Sequence, residues 1–478
     1  MKKISVILLL LCFCLTIPCS VLATTTGGSV PADNIAAQTG NNSLDATIPV
    51  LGSQQIVQNA ESVFMYEYHT GTLMYAWNAD KQVYPSSLVK ILTALIAIEN
   101  STMSAEVTVD QATLDTVPYD AVSVDLQPDE TLRLEDLLYC MMVGSANDAA
   151  AVIATHISGS QEAFVKLMNE RAKELGCANS NFTNAHGIHD DQQYSTARDL
   201  ARILCAAMEQ EAFRAIFSAP SYTVAQTNKS DERVLSSRNY MMATDTMEIY
   251  YDERVTGGRT GEANDGSRCL AVSAESGGMK LINIVLGSKS DIEEDGYTVR
   301  VYGGFNETKT LLDAGFNGFK SVQVLYEGQA LKQLSVDSGR YKVSVGPLSS
   351  VSAIIPENVN NANLTYEYIN VQQELKTPIS KGQKLSIVRV WNGGVCIAQA
   401  DLFALHAINT DDQSWDGDAN KIWDDVADVA GKVGIIILIV IAAAGAIFAI
   451  VVLGIRLVKK SATNNRIRKY RRGHRRSR

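Results

Sequence analysis

Between Leu88 and Ile98 the chain is apolar on every side except at Lys90 and Thr93. A helix that is hydrophobic all round has no solvent face, so this segment is read as the central, fully buried helix of a sizeable core. A lysine inside such a helix demands a reason. Lys90 completes Ser87-Leu88-Val89-Lys90, the only Ser-x-x-Lys of the chain. Three-residue spacing on a helix puts both side chains on one face, so the amine can reach the hydroxyl one turn back. At the helix N-terminus, free N–H groups and the helix dipole favour negative charge developing at Ser87. Burial disfavours the ammonium form and moves Lys90 toward the range of a general base, which a serine needs to become a nucleophile. A capping serine followed by a snorkelling lysine is the alternative reading of the same four residues.

Around that helix, strand-like and helix-like patterns follow one another. Residues 63–66 and 73–76 flank His69-Thr70-Gly71-Thr72 and read as a hairpin. Residues 132–142 and 161–175 have helical periodicity, the second stopped by Gly176. Residues 269–274 and 281–287 are separated by Glu275-Ser276-Gly277-Gly278, which predicts an antiparallel pair, and a helix around 307–314 closes the unit. From 320 to 408 the pattern changes to short alternating strands, including 321–326, 341–345 and 385–390, the signature of a small all-β domain. The expected organisation is an α/β (α+β) domain at 55–318, with an antiparallel sheet and a helical subdomain, and a β-rich domain at 320–408.

The ends carry addresses rather than fold. Met1-Lys2-Lys3, an apolar stretch from Ile4 to Ile17 and the small residue at Ala23 predict an export signal over 1–23. Cys19 also suggests a lipoprotein site, but Pro18 stands where a small residue is normally found. Residues 24–54 have little large apolar content and read as a flexible leader. An acidic linker at 409–432 precedes a predicted transmembrane helix at 433–455, where Gly434 to Ile455 is 22 residues without a charge. At about 1.5 Å per residue that run is long enough for a hydrocarbon core of ~30 Å. The tail, 456–478, has eleven Lys or Arg and no acid, which predicts a cytoplasmic tail with the domains before the helix outside.

Between these ends, residues 24–455 hold 29 basic against 52 acidic residues. Such a balance argues against nucleic acid as a partner of the exported part. Outside the signal stand Cys140, Cys177, Cys205, Cys269 and Cys396, an odd number without a Cys-x-x-Cys pair, so no disulfide framework is implied and buried free thiols are expected. No His-Glu-x-x-His occurs among the six histidines, and no metal or cofactor is expected.

Two further elements carry chemistry. Ser145-Ala146-Asn147 can present a hydroxyl and an amide to one cleft if the turn is extended, or can be a small polar turn between helices. Arg259-Thr260-Gly261, preceded by Gly257-Gly258 and leading to a strand, makes a plausible carboxylate site, or an ordinary Gly-rich turn.

The order Ser-x-x-Lys, then Ser-x-Asn 58 residues on, then a basic-Thr-Gly triplet 114 residues further, resembles the penicilloyl serine transferases, the group of penicillin-binding proteins and serine β-lactamases. The flanks 84–94, 181–187 and 194–200 resemble the low-molecular-mass D-alanyl-D-alanine carboxypeptidases, and the β domain, with Pro378-Ile379-Ser380-Lys381-Gly382-Gln383, resembles that family's C-terminal domain. The resemblance implies a β-lactamase/transpeptidase-like fold. It implies that Ser87 attacks the carbonyl between the last two D-alanines of a peptidoglycan stem peptide, with Lys90 taking its proton and Ser145 relaying one to the departing amine. Asn147 would hold the substrate backbone, Arg259, Thr260 and Gly261 its terminal carboxylate, and the N–H groups of Ser87 and Glu262 the oxyanion. β-Lactams would be covalent inhibitors.

Two positions depart from the family pattern. The triplet normally begins with lysine, and Arg259 cannot shuttle a proton at neutral pH. Glu262 places an acid beside the proposed carboxylate site. A serine β-lactamase shares the three elements but needs a deacylating carboxylate, and the Glu-x-x-Leu-Asn pattern of one class is absent. A non-catalytic scaffold of the cell wall or of sporulation is the reading from another class.

Overall fold

The computed structural model describes residues 50–409, apart from 53, 243–246, 293–298, 360–363, 373 and 393–394. The expected export signal, most of the leader, the acidic linker beyond 409, the apolar run and the basic tail lie outside the described residues. Among the described residues no helix is long and apolar enough to cross a membrane.

A five-stranded antiparallel sheet forms the spine: β1 Ser62–Glu67, β2 Thr72–Trp77, β3 Val255–Glu262, β4 Arg268–Ser276 and β5 Met279–Ser288, in spatial order β2-β1-β5-β4-β3. Successive strand residues point to opposite faces, and both faces are covered. Phe64, Tyr66, Ile282, Ile284 and Leu286 join the core on one face, while Val63, Met65, Leu281 and Val285 join the core on the other. Double burial explains why β1 and β5 read as continuous apolar runs rather than alternating ones.

On the first face lie α1 Val89–Asn100, α2 Leu134–Met142, α3 Asn147–Ser158, α4 Gln161–Glu174, α5 Ala197–Met208 and α6 Glu211–Phe217. Helix α1 packs against α2, α3, α4, α5 and α6, and every residue from Val89 to Ala97 is buried, Lys90 included. Ser160 caps α4 through its hydroxyl, and Thr196 caps α5 in the same way. On the second face α7 Phe305–Gly318 seals the sheet.

The expected elements are present with shifted ends. Residues 131–133 form a short strand with 106–108, and only Leu134–Met142 is helical. The triplet of Arg259 does not precede a strand but lies within one, at the edge of the sheet, where pairing with β4 supplies the backbone partners. The β domain contains the hairpin Lys384–Asn392 and Val395–Ala404, flanked by Thr365–Asn370 and Tyr341–Gly346, and a separate pair, Phe319–Leu325 with Val351–Pro356. A second small compact unit gathers 335–342, 375–379 and the described residues from 407. In it Asp337 accepts bonds from the Thr377 amide and hydroxyl.

Candidate active site

The three sequence elements meet at one cleft of about 220 Å³, lined by Tyr84, Ser86, Ser87, Ser145, Asn147, Arg238, Thr260, Gly261 and Glu262 among others. Ser87 sits in a single 3-10 turn, Ser86–Leu88, leading directly into α1. Lys90, fully buried, points its Nζ at Ser87 Oγ (3.1 Å), Asn147 Oδ1 (2.7 Å) and the His186 carbonyl. Burial first, then the Arg259 cation, hold Lys90 well below the ordinary lysine value; Asp148 pulls the other way, and the Arg238 cation adds the smallest push downward.

A neutral amine has two N–H groups and one lone pair. Asn147 Oδ1 and the His186 carbonyl can only accept, whereas the Ser87 hydroxyl can also donate. The lone pair is therefore left for the Ser87 proton, which is the arrangement a general base needs.

Ser145 turns into the cleft through a left-handed backbone (φ 64°), and Asn147 begins α3 with its main-chain N–H donating to the Val122 carbonyl (2.8 Å). The next residue, buried Asp148, accepts from the Leu126 amide (3.1 Å) and the Ser123 hydroxyl (2.5 Å), tying down the loop that brings Val122 to the cleft.

Arg259 is placed otherwise than expected. It is 2% exposed and does not line the cleft; Nη1 donates to the Met142 carbonyl (2.9 Å) and Nη2 to Ser145 Oγ (2.7 Å). Burial, then the Arg238 cation, pulls its pKa down to about 9, which still leaves it charged at neutral pH. Because guanidinium only donates, Ser145 Oγ must accept from it, and the Ser145 proton is free to point elsewhere.

Thr260 and the exposed Arg238 do line the cleft. Glu262 turns its carboxylate to Arg268 (3.0 Å), which is stacked over the Tyr302 ring. Sequence reasoning passed over Arg238, Asp148 and the His186 carbonyl. His186 itself is buried, its pKa pushed down to about 3 by burial and then by Lys90, with Nδ1 accepting from the Ile188 amide. Among the described residues no group of His, Cys, Asp or Glu is arranged to hold a metal ion.

Residues 50–290 match the family model described as D-alanyl-D-alanine carboxypeptidase. The chain belongs to the D-alanyl-D-alanine carboxypeptidase family. Residues 319–410 of this carboxypeptidase match the model of the penicillin-binding protein 5 C-terminal domain. It is 29% identical to the D-alanyl-D-alanine carboxypeptidase DacC of Escherichia coli over 77% of this chain and 88% of that one. Against DacF of Bacillus subtilis the identity is 25%, over 74% and 86% of the two chains. Among solved structures, penicillin-binding protein 5 of Haemophilus influenzae superposes with a TM-score of 0.62 at 26% identity, covering 75% of this carboxypeptidase and 100% of that chain. The fold is thus that of a penicillin-binding protein with a C-terminal β domain.

Proposed function

We propose that the chain removes the terminal D-alanine from peptidoglycan stem peptides through an acyl-enzyme on Ser87. The observation that carries this reading is the buried Lys90 amine, whose two obligate acceptors leave its lone pair for the Ser87 hydroxyl. In acylation Lys90 takes the Ser87 proton as Oγ bonds to the carbonyl carbon. The oxyanion is held by the amides of Ser87 and Glu262, donors of a kind that contribute ~2.7–4 kcal/mol each. The C–N bond then breaks as Ser145 gives its proton to the leaving D-alanine and regains one from Lys90; water then hydrolyses the ester, its hydroxyl going to the acyl carbon and its proton back to Ser87 Oγ.

The terminal carboxylate is assigned to the Thr260 hydroxyl and the Arg238 guanidinium, which reach the cleft, while Arg259 acts from behind through Ser145. Asn147 has its Oδ1 on Lys90, so its amide N–H groups are the ones facing substrate backbone. β-Lactams would enter the same attack and remain as a slow ester, since Glu262, the one carboxylate among the cleft residues described, is engaged by Arg268 and is not a free base for deacylation. The apolar run 434–455 is proposed to tether the catalytic domain outside the membrane, with the basic tail on the cytoplasmic side.

Full-length protein in detergent, incubated with a stem pentapeptide, should release D-alanine, and Ser87→Ala should abolish both release and labelling by a fluorescent penicillin. Folded protein that releases none would sink the reading, and rapid turnover of penicillin would replace it with a β-lactamase.

A further inference from the structure

We infer that Ser86 is a positioning residue that sets the oxyanion hole of this carboxypeptidase. The inference rests on the reading of Ser87 as the acylated serine and of the Ser87 and Glu262 amides as the oxyanion donors.

Those two donors belong to distant parts of the chain, a turn at the head of α1 and the last residue of the edge strand β3. Among the described residues no main-chain hydrogen bond joins the turn to the strand. What joins them at normal length is the Ser86 hydroxyl, 2% exposed, donating to the Glu262 carbonyl at 2.6 Å across 176 residues of sequence. Arg259 Nε reaches the Ser87 carbonyl only at 3.5 Å.

The contact is tight on both sides. A Cβ added to Gly261 would lie 3.0 Å from Ser86 Cβ, Ser86 Oγ and the Ser87 amide nitrogen, so strand and turn already touch. Ser86 itself sits at φ 52°, a left-handed conformation that a serine adopts only where its surroundings hold it. In an extended strand the N–H and C=O of one residue point to the same side. A Glu262 carbonyl fixed toward Ser86 therefore aims the Glu262 N–H at the nucleophile side of the cleft. The Ser86 hydroxyl thus sets both the separation of the two donors and the direction of one of them, without touching substrate.

Ser86→Ala keeps the same backbone requirement and removes only the hydroxyl, which makes it the informative variant. Deleting an oxyanion donor outright lowers turnover by about 10²–10³. Loosening one donor should lower kcat and penicillin acylation per titrated site by about tenfold, with KM little changed. The affinity of a peptide boronic acid, which presents a tetrahedral oxyanion, should fall by the same factor. The fraction of sites titrated by fluorescent penicillin should stay at the wild-type value. If Ser86→Ala does not fold, Ser86→Gly adopts the left-handed backbone freely and carries the same test. A kcat within twofold of wild type, or a deficit confined to KM with boronate affinity intact, overturns the positioning role. That result beside an inactive Ser87→Ala would leave the acyl-enzyme reading standing, whereas acylation persisting in Ser87→Ala would remove the basis of both.

Discussion

Gly187 offers the sharpest test of how closely the turn that carries Ser87 is packed. Its backbone is left-handed (φ 82°), and a Cβ there would lie 2.2 Å from the Ser86 carbonyl oxygen, 2.6 Å from the Ser86 carbonyl carbon and 2.9 Å from the Ser87 amide nitrogen. All three are main-chain atoms, so no side chain can swing aside. Restoring ordinary contact in Gly187→Ala requires the turn and the 186–187 segment to part by roughly 1 Å, and a misplacement of that size costs about 10²-fold in rate. The same segment carries the His186 carbonyl that orients Lys90, and the Gly187 carbonyl that accepts from the Tyr84 hydroxyl (2.5 Å), so Lys90 is disturbed along with Ser87. The control is Gly159→Ala at the end of α3, where φ is 78° and nothing lies within 4 Å of the added carbon. Both variants carry the left-handed penalty of about 1 kcal/mol, worth roughly 2–4 °C in Tm. Only Gly187→Ala should also lose acylation by fluorescent penicillin and D-alanine release, by about a hundredfold. If the two variants acylate within threefold of each other, the close approach does not govern the chemistry.

Arg238 is a cation on the cleft that also lowers Lys90. Arg238→Gln should weaken peptides with a free terminal carboxylate by about tenfold, the lower end for an exposed charged hydrogen bond, while leaving the C-terminal amides unchanged. Because removing a cation raises Lys90, the acid limb of the acylation rate should move to higher pH; an unmoved limb would count against the assigned electrostatics. A separate test concerns Glu130, whose wholly buried carboxylate accepts from Arg233 Nη1 (2.7 Å) and Nη2 (2.9 Å). Burial alone would raise its pKa, but the Arg233, Gln127 and Thr227 donors outweigh it and hold it below the usual value. Its contribution is thus present above the ordinary glutamate value and lost as pH falls through the lower folded one. Glu130→Gln should lower stability by about 3 kcal/mol at neutral pH, with the Tm gap to wild type narrowing in acid. A gap that stays constant in acid would refute the linkage.

What was legible in the sequence follows from which contacts are local. The buried helix, its lysine and the serine one turn earlier obey helix spacing, so Ser87 and Lys90 could be paired without a structure. The doubly covered strands around Phe64 and Ile284 announced themselves as apolar runs. Arg259 could not be oriented in the same way. Strand faces are read from apolar alternation, and Val255–Glu262 is so rich in glycine that no alternation shows which residues face the core. Nor does sequence reveal a partner that is a main-chain atom: the His186 and Glu262 carbonyls have no side-chain signature, yet one orients Lys90 and the other holds Ser86.

That limit also explains why an arginine at 259 is compatible with the chemistry. At a substrate-facing position that had to exchange a proton, a guanidinium would be unsuitable. Behind the cleft the requirement is different: two acceptors, the Met142 carbonyl and Ser145 Oγ, lie within reach of one rigid fork, and its positive charge lowers Lys90. A guanidinium that only donates keeps Ser145 an acceptor on that side and so turns its hydroxyl proton outward. A charge that persists at neutral pH opposes protonation of Lys90 throughout the cycle. The departure from the family's usual lysine therefore falls at a position where permanent charge and fork geometry serve and proton exchange is not called for.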